Sequence, residues 1–165
     1  MAEPVETPIG TVTAEHFRPG HVRHQVVVGP KFLYALFNPR EQMHAVSRAF
    51  MSFVRDGDLP YRRLIVNDHI VDEAATRLKK QASIRNAASF VTTLDESTLY
   101  QLESNPRDVF GDAKATFVEC TDLDASFTDF VVAAHMDALE VDHILTFDRH
   151  YDAFDVTTLP YRSSD

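Results

Sequence analysis

Two aspartates in the C-terminal third of the chain have positions from which they could act together chemically. Asp129 falls in the first turns of a predicted helix, SFTDFVVAAHM, that Asp124 or Ser126 could cap. Asp148 follows the apolar run ILTF, which is typical of a short strand. In an open parallel sheet, the site is built at the carboxyl ends of the strands. The pattern therefore predicts that the two carboxylates lie in one place.

Glu73 is the third acid that this organisation would bring to the same end of the sheet. It follows a predicted strand and lies off the apolar face of a helix that Asn67 or Asp68 could cap. Three convergent carboxylates repel one another unless a cation neutralises them. Mg²⁺ and Mn²⁺ suit such a site, because hard divalent ions take oxygen ligands. The leading reaction class is therefore phosphodiester hydrolysis by a metal-activated water.

Each acid also has a purely structural interpretation. Glu73 could pair with Arg77 one helical turn later, and Asp148 could form a turn or a cap. His150 is expected to face solvent or to accept a hydrogen bond, with catalysis as the less favoured role. The remaining acids of this region are expected to be surface or capping groups: Asp122, Asp124 and Asp152.

Short apolar runs alternate with helical patterns along most of the chain. The run HQVVV ends at Val28 and is stopped by Gly29 and Pro30, and Pro30 suits the first position of a helix. A helical region is expected from about 83 to 103. Further strands are expected at Arg63–Val66, Ala115–Glu119, Val141–Phe147 and, weakly, Val156–Leu159. This alternation predicts a three-layer α/β/α sandwich with a mainly parallel sheet.

Length and composition predict one domain of ordinary size. The chain has 165 residues, with a poorly ordered arm expected over 1–22 and a single domain over 23–165. Its one cysteine, Cys120, cannot form an internal disulfide, which favours a reducing, cytoplasmic setting. No apolar run is long enough for a membrane span, so a soluble protein without membrane contact is expected.

The charge is strongly acidic, at −9, with sixteen aspartates and only four lysines. This bias resembles halophilic proteins, whose dense carboxylates keep them hydrated, although a mildly acidic mesophilic domain explains it equally well. One segment, Arg77–Arg85, gathers basic residues without an acid. It could contact an RNA backbone, or it could complement the dipole of its own helix.

Together these segments resemble the PIN domain family, small metal-dependent nucleases that include VapC-type toxins. The resemblance runs from Val26 to Pro160 and rests on VVV with FLYALFN, LIVNDHIVDEA, SFTDFVVAAHM and HILTFDRHYDAF. It implies that Glu73, Asp129 and Asp148 are catalytic ligands of Mg²⁺ or Mn²⁺. It also implies an endoribonuclease activity on RNA, a possible antitoxin partner and a possible homodimer.

The chain departs from the family pattern at the end of its first parallel strand. The family has an aspartate there, followed by a small hydroxyl residue, whereas this sequence has Gly29 and Pro30. Asp68 and Asp72 are candidate replacements only because they flank the start of the Glu73 helix. Two functions stay open: an endoribonuclease, and a catalytically degenerate module that binds RNA or assembles with a partner.

Overall fold

Parallel strands form the centre of the fold, in the spatial order Tyr100–Glu103, Arg63–Asn67, Gln25–Val28, His143–Leu145 and Thr157–Leu159. The structure is a computed structural model that describes residues 2–18, 20 and 22–160. The strands are β1 (Val5–Thr7), β2 (Gly10–Val12), β3 (Gln25–Val28), β4 (Arg63–Asn67), β5 (Tyr100–Glu103), β6 (His143–Leu145) and β7 (Thr157–Leu159). The helices are α1 (Pro30–Phe37), α2 (His44–Arg55), α3 (Asp68–Gln81), α4 (Ile84–Glu96), α5 (Arg107–Glu119) and α6 (Phe127–Leu139), with 3₁₀ helices at Ala14–Phe17 and Arg149–Ala153.

The middle strands are covered on both faces. Successive side chains of a strand point to opposite faces of the sheet, yet Val26, Val27 and Val28 are all buried. In the register, Val27 stands between Ile65 of β4 and Ile144 of β6. This confirms the predicted α/β sandwich with a mainly parallel sheet. It also aligns the carboxyl ends of β3, β4 and β6 at one edge.

The helices that follow this edge begin at defined caps. Asn67 caps α3, its side-chain oxygen accepting a hydrogen bond from Ile70 N at 2.9 Å. Gly29 caps α1, and Pro30 takes the first helical position as predicted. Among the described residues, no helix combines the length and the apolar character that a membrane crossing requires.

Two predicted elements were wrong. The segment Ala115–Glu119 forms the last turns of α5 and is not a strand. The helix expected from 83 to 103 ends at Glu96, and residues 100–103 form the edge strand β5. The conformation of residues 100–103 is decided by pairing with β4, and this pairing begins with Leu64 opposite Tyr100. That pairing is non-local, so a local sequence pattern does not report it.

Parts of the N-terminal segment pack against the rest of the fold. β1 and β2 pair as an antiparallel hairpin, and Val12 and Phe17 belong to the main core cluster. The Tyr61 hydroxyl donates a hydrogen bond to the Phe17 carbonyl at 2.7 Å. Pro19, His21 and residues 161–165 lie outside the described residues. The domain boundary at residue 23 stays a prediction.

Candidate active site

The structure brings Asp129 and Asp148 together, with His150 between them. Each of the three offers one ligand atom, and these atoms lie within 4.8 Å of one another. His150 Nδ1 is 3.0 Å from Asp148 Oδ1 and 3.7 Å from Asp129 Oδ2. The aspartate side chains are 5% and 13% exposed and the imidazole 41%, so the histidine stands at the mouth of the group.

Asp129 is held in place by the start of α6. Its Oδ2 accepts a hydrogen bond from Ser126 N at 2.8 Å, and Asp129 N donates to Ser126 Oγ at 3.1 Å. This reciprocal arrangement is a capping box, with an aspartate at the third helical position. The side chain therefore has one orientation before any ligand arrives.

Asp148 is positioned by the turn that follows β6. Its backbone N–H donates to Thr146 Oγ1 at 2.9 Å, and its Oδ1 accepts from His150 N at 3.0 Å, which caps the second 3₁₀ helix. Because β6 pairs with β3, this turn lies beside the start of α1. Asp148 therefore both caps the turn, as its structural interpretation predicted, and belongs to the acidic group.

Glu73 lies on α3 and faces the same acids without joining the 4.8 Å group among the described residues. Partial burial raises its pKa, and the negative charges of Asp129 and, to a smaller extent, Asp148 raise it further. A hydrogen bond with the Thr128 side chain and the charge of Arg77 oppose this rise. The Arg77 guanidinium lies over the Tyr34 ring, 4.3 Å from its centroid. The third predicted acid is thus close enough to interact with the other two electrostatically.

A Glu73→Gln variant is expected to melt at a higher temperature than the parent protein at pH 7 in EDTA. The raised pKa means that the folded state holds the Glu73 proton more tightly, so stability is lost as pH rises through the folded pKa. Glutamine carries no such penalty. The difference should shrink toward about pH 4, near the pKa of an unfolded glutamate. Melting curves across this pH range that coincide for the two proteins would contradict the electrostatic coupling.

Tyr151 is a fully buried residue beside the acids. Its hydroxyl has no hydrogen bond of good geometry with any described residue. Burial, followed by the nearby charge of Asp129, raises the pKa of Tyr151 well above its usual range. The Asp129 carboxylate also interacts with the Tyr151 hydroxyl, which therefore lies at the buried end of the acidic group. Two carboxylates, an imidazole and this hydroxyl together fit a hydrated divalent cation.

Lys31 is the site residue that sequence reasoning missed. Its ammonium Nζ lies 3.2 Å from Asp148 Oδ2. Lys31 is the second residue of α1 and directly follows Gly29 and Pro30. The site predicted from the sequence did not include Lys31. Its adjacency to a strand end was the signal available in the sequence. The site therefore contains a positive charge of its own.

Gly29 packs too closely against β6 to carry a side chain without adjustment. Its N–H donates to the Leu145 carbonyl at 2.8 Å. A Cβ on Gly29 would lie 3.0 Å from that same oxygen and 3.4 Å from the Thr146 Cβ. The end of β3 thus supplies backbone to this edge, and no carboxylate.

A Gly29→Ala variant is expected to lower the free energy of unfolding by about 1 kcal/mol, because overpacking outweighs the reduced entropy of the unfolded chain. Gly111→Ala is a matched control, since this glycine lies within α5 and its Cβ would meet nothing within 4 Å. The control should gain about 0.5 to 1 kcal/mol. Urea unfolding of both variants measures the two changes in unfolding free energy. If both variants gained stability equally, β6 would move away from the new Cβ at little energetic cost.

A groove continues from Glu73 along α3. It has a volume of about 470 Å³ and is lined in part by Arg77 and Lys80, which belong to the basic segment noted in the sequence. Of the two acids that flank the start of α3, Asp72 also lines this groove. Asp68 accepts a hydrogen bond from Asn105 N at 3.1 Å instead. Neither acid lies in the 4.8 Å group among the described residues.

Comparison with known proteins identifies the fold. No protein-family model matches the sequence, and a search of curated proteins gives no match. Among solved structures, VapC20 from Mycobacterium tuberculosis, a sarcin-ricin loop cleaving toxin, is similar at a TM-score of 0.69 and 21% identity, over 79% of this chain and 98% of that one. FitAcB from Neisseria gonorrhoeae is similar at a TM-score of 0.55 and 12% identity, over 82% and 97% of the two chains. The chain therefore has the PIN-like fold of VapC20, as the sequence resemblance predicted.

Proposed function

We propose that this protein is a metal-dependent endoribonuclease that hydrolyses RNA phosphodiester bonds. The observation that supports it most directly is the group formed by Asp129, Asp148 and His150, with Glu73 facing it, at the carboxyl edge of the sheet. The group occurs in a fold similar to that of VapC20, a toxin that cleaves the sarcin-ricin loop. Metal-dependent hydrolysis requires converging acids, whereas a module that only binds RNA or a partner does not.

Asp129 and Asp148 are the residues that would hold the ion, with Glu73 reaching it through water, as is common for Mg²⁺. A bound Mg²⁺ or Mn²⁺ ion would supply an activated water and would neutralise charge on the phosphate. Asp129 keeps Oδ2 on the helix cap. The Tyr151 hydroxyl can donate a hydrogen bond at the buried end of the site.

His150 is placed to exchange protons at the mouth of the site. Its Nδ1 lies 3.0 Å from Asp148 Oδ1, and its Nε2 lies 3.6 Å from Asp124 Oδ2 on the open side of the group. Imidazole is the side chain most often used for proton transfer in catalysis, so His150 is the candidate proton carrier of the site.

The groove beside Glu73 is suited to a single RNA strand. Arg77 and Lys80 line it, and cationic side chains supply affinity for phosphates that does not depend on sequence. The net charge of −9 opposes RNA over the rest of the surface. Phosphate contacts in this groove would come from Arg77 and Lys80, which lie beside the acids Asp72 and Glu73.

The similarity to VapC20 extends the proposal to a toxin restrained by an antitoxin protein. The possible homodimer inferred from the family resemblance belongs to the same proposal. Co-expression with a candidate antitoxin followed by joint purification would test the first point. Sedimentation of the purified chain would test the second.

Cleavage of RNA by the purified protein is the direct test of the central proposal. A sarcin-ricin loop oligonucleotide and total RNA would be incubated in Mg²⁺, in Mn²⁺ and in EDTA, at low and high KCl. We expect cleavage that requires the metal. If folded protein cleaves neither RNA under any of these conditions, the nuclease proposal fails. Retained RNA binding would then support the catalytically degenerate module.

A further inference from the structure

Asp148 has both of its carboxylate oxygens engaged by groups of this chain. Oδ1 lies 3.0 Å from His150 N, which donates to it, and 3.0 Å from His150 Nδ1. Oδ2 lies 3.2 Å from the Lys31 ammonium. A divalent ion bound to Oδ2 would lie beside the Lys31 ammonium, and the repulsion between the two positive charges favours departure of one of them.

Lys31 is the partner that can leave. The hydrogen bond from His150 N is part of the turn that starts the second 3₁₀ helix, so breaking it would disturb the backbone. Lys31 instead holds Oδ2 with the end of a flexible side chain that is 42% exposed. Among the described residues, Asp148 is its one ion-pair partner. Once displaced, the ammonium would stay at this edge of the sheet, because α1 fixes its backbone.

Next to Lys31, the end of β3 contributes no carboxylate that could retain the displaced charge. Gly29 offers only backbone, and a side chain there would meet the Leu145 carbonyl at 3.0 Å. A lysine ammonium is a compact point charge with three donors and suits a phosphate oxygen. The scissile phosphate must approach this edge in order to reach the acids.

We propose that Lys31 exchanges between two partners: it holds Asp148 when the site lacks a metal, and it contacts an RNA phosphate oxygen when a divalent ion occupies Asp148. This inference rests on the proposed function, because it assumes that the acids take a metal and that RNA enters the site. In this proposal, Lys31 binds a phosphate and also lowers the affinity of the acidic site for the divalent ion.

The first test is Mn²⁺ binding without RNA, followed by electron paramagnetic resonance, for the parent protein, Lys31→Ser and Lys79→Ser. Lys79 is an exposed lysine on α3 and gives a matched loss of charge elsewhere. We expect Lys31→Ser to bind Mn²⁺ about fivefold more tightly, since the ion no longer competes with the ammonium. Lys79→Ser should behave like the parent. Unchanged affinity in Lys31→Ser, or no Mn²⁺ binding by any variant, would overturn the proposal.

The second test is the salt dependence of RNA binding, measured by anisotropy with a labelled phosphorothioate oligoribonucleotide. In Mn²⁺, Lys31→Ser should show a slope of log affinity against log salt concentration that is smaller by about 0.7, the value of one lost phosphate contact on a single strand. In EDTA the two slopes should agree, because Lys31 is then held by Asp148. A slope that does not change in Mn²⁺, or that changes equally in EDTA, would refute the exchange. Neither Mn²⁺ binding nor RNA anisotropy requires cleavage, so the two tests can fail while cleavage is observed, and the reverse.

Discussion

An Asp148→Asn variant is expected to cleave RNA at least about 100-fold more slowly than the parent protein at the same Mn²⁺ concentration. The substitution removes the charge that a divalent ion requires. It leaves an oxygen that can still accept the hydrogen bond from His150 N, so the turn after β6 should keep its structure. Asp129→Asn should lose activity to a similar extent for the same reason. Its amide oxygen can still accept the hydrogen bond from Ser126 N, so the start of α6 should also keep its structure.

Initial cleavage rates and circular dichroism of the same samples would check this result. Asp122→Asn is the control, since Asp122 is an exposed acid in the loop before α6 and has the same chemistry. It should retain full activity. An Asp148→Asn protein that keeps more than a tenth of the parent rate would show that the catalytic centre lies elsewhere.

A Phe17→Ala variant is expected to lose about 3 to 5 kcal/mol of unfolding free energy, the usual range for truncation of a buried phenylalanine. The Phe17 ring is fully buried and contacts Phe50 and Phe53, at centroid distances of 5.1 and 6.3 Å. Removing it would leave a cavity between the N-terminal segment and α2. Urea unfolding followed by circular dichroism gives the free energy.

Ile9→Ala is the control for this measurement, because Ile9 belongs to the same segment and is exposed. It should change stability by no more than about 0.5 kcal/mol. A loss below about 1 kcal/mol for Phe17→Ala would mean that the segment detaches in solution. That outcome would support the domain boundary expected at residue 23.

The buried strands of the fold could be predicted because their local pattern and their final environment agree. The run ending at Val28 is apolar throughout, as a strand covered on both faces must be. The segment Ala115–Glu119 is also rich in strand-forming residues, yet it is helical. Phe117 packs there against Phe127 and Phe130 of α6, a contact between helices that local propensity does not encode.

The candidate site was predictable where an acid followed an element boundary. Asp129 and Asp148 have caps and strand ends that the sequence shows, whereas only adjacency to a strand end marks Lys31. Its contact with Asp148 depends on the pairing of β3 with β6, which are separated by more than 100 residues. The position of His150 between the two aspartates depends on the same packing.

Glu73 differs from the two aspartates in what would preserve it during evolution. Asp129 and Asp148 accept hydrogen bonds from the backbone, so the fold alone favours an oxygen acceptor, Asp or Asn, at both positions. Glu73 has a raised pKa, and its ionised form carries a penalty at neutral pH. A lineage that had given up RNA cleavage would keep such an acceptor at 129 and 148 and drift to a neutral residue at 73. Position 73 is therefore the one at which related sequences would distinguish working enzymes from inactive descendants.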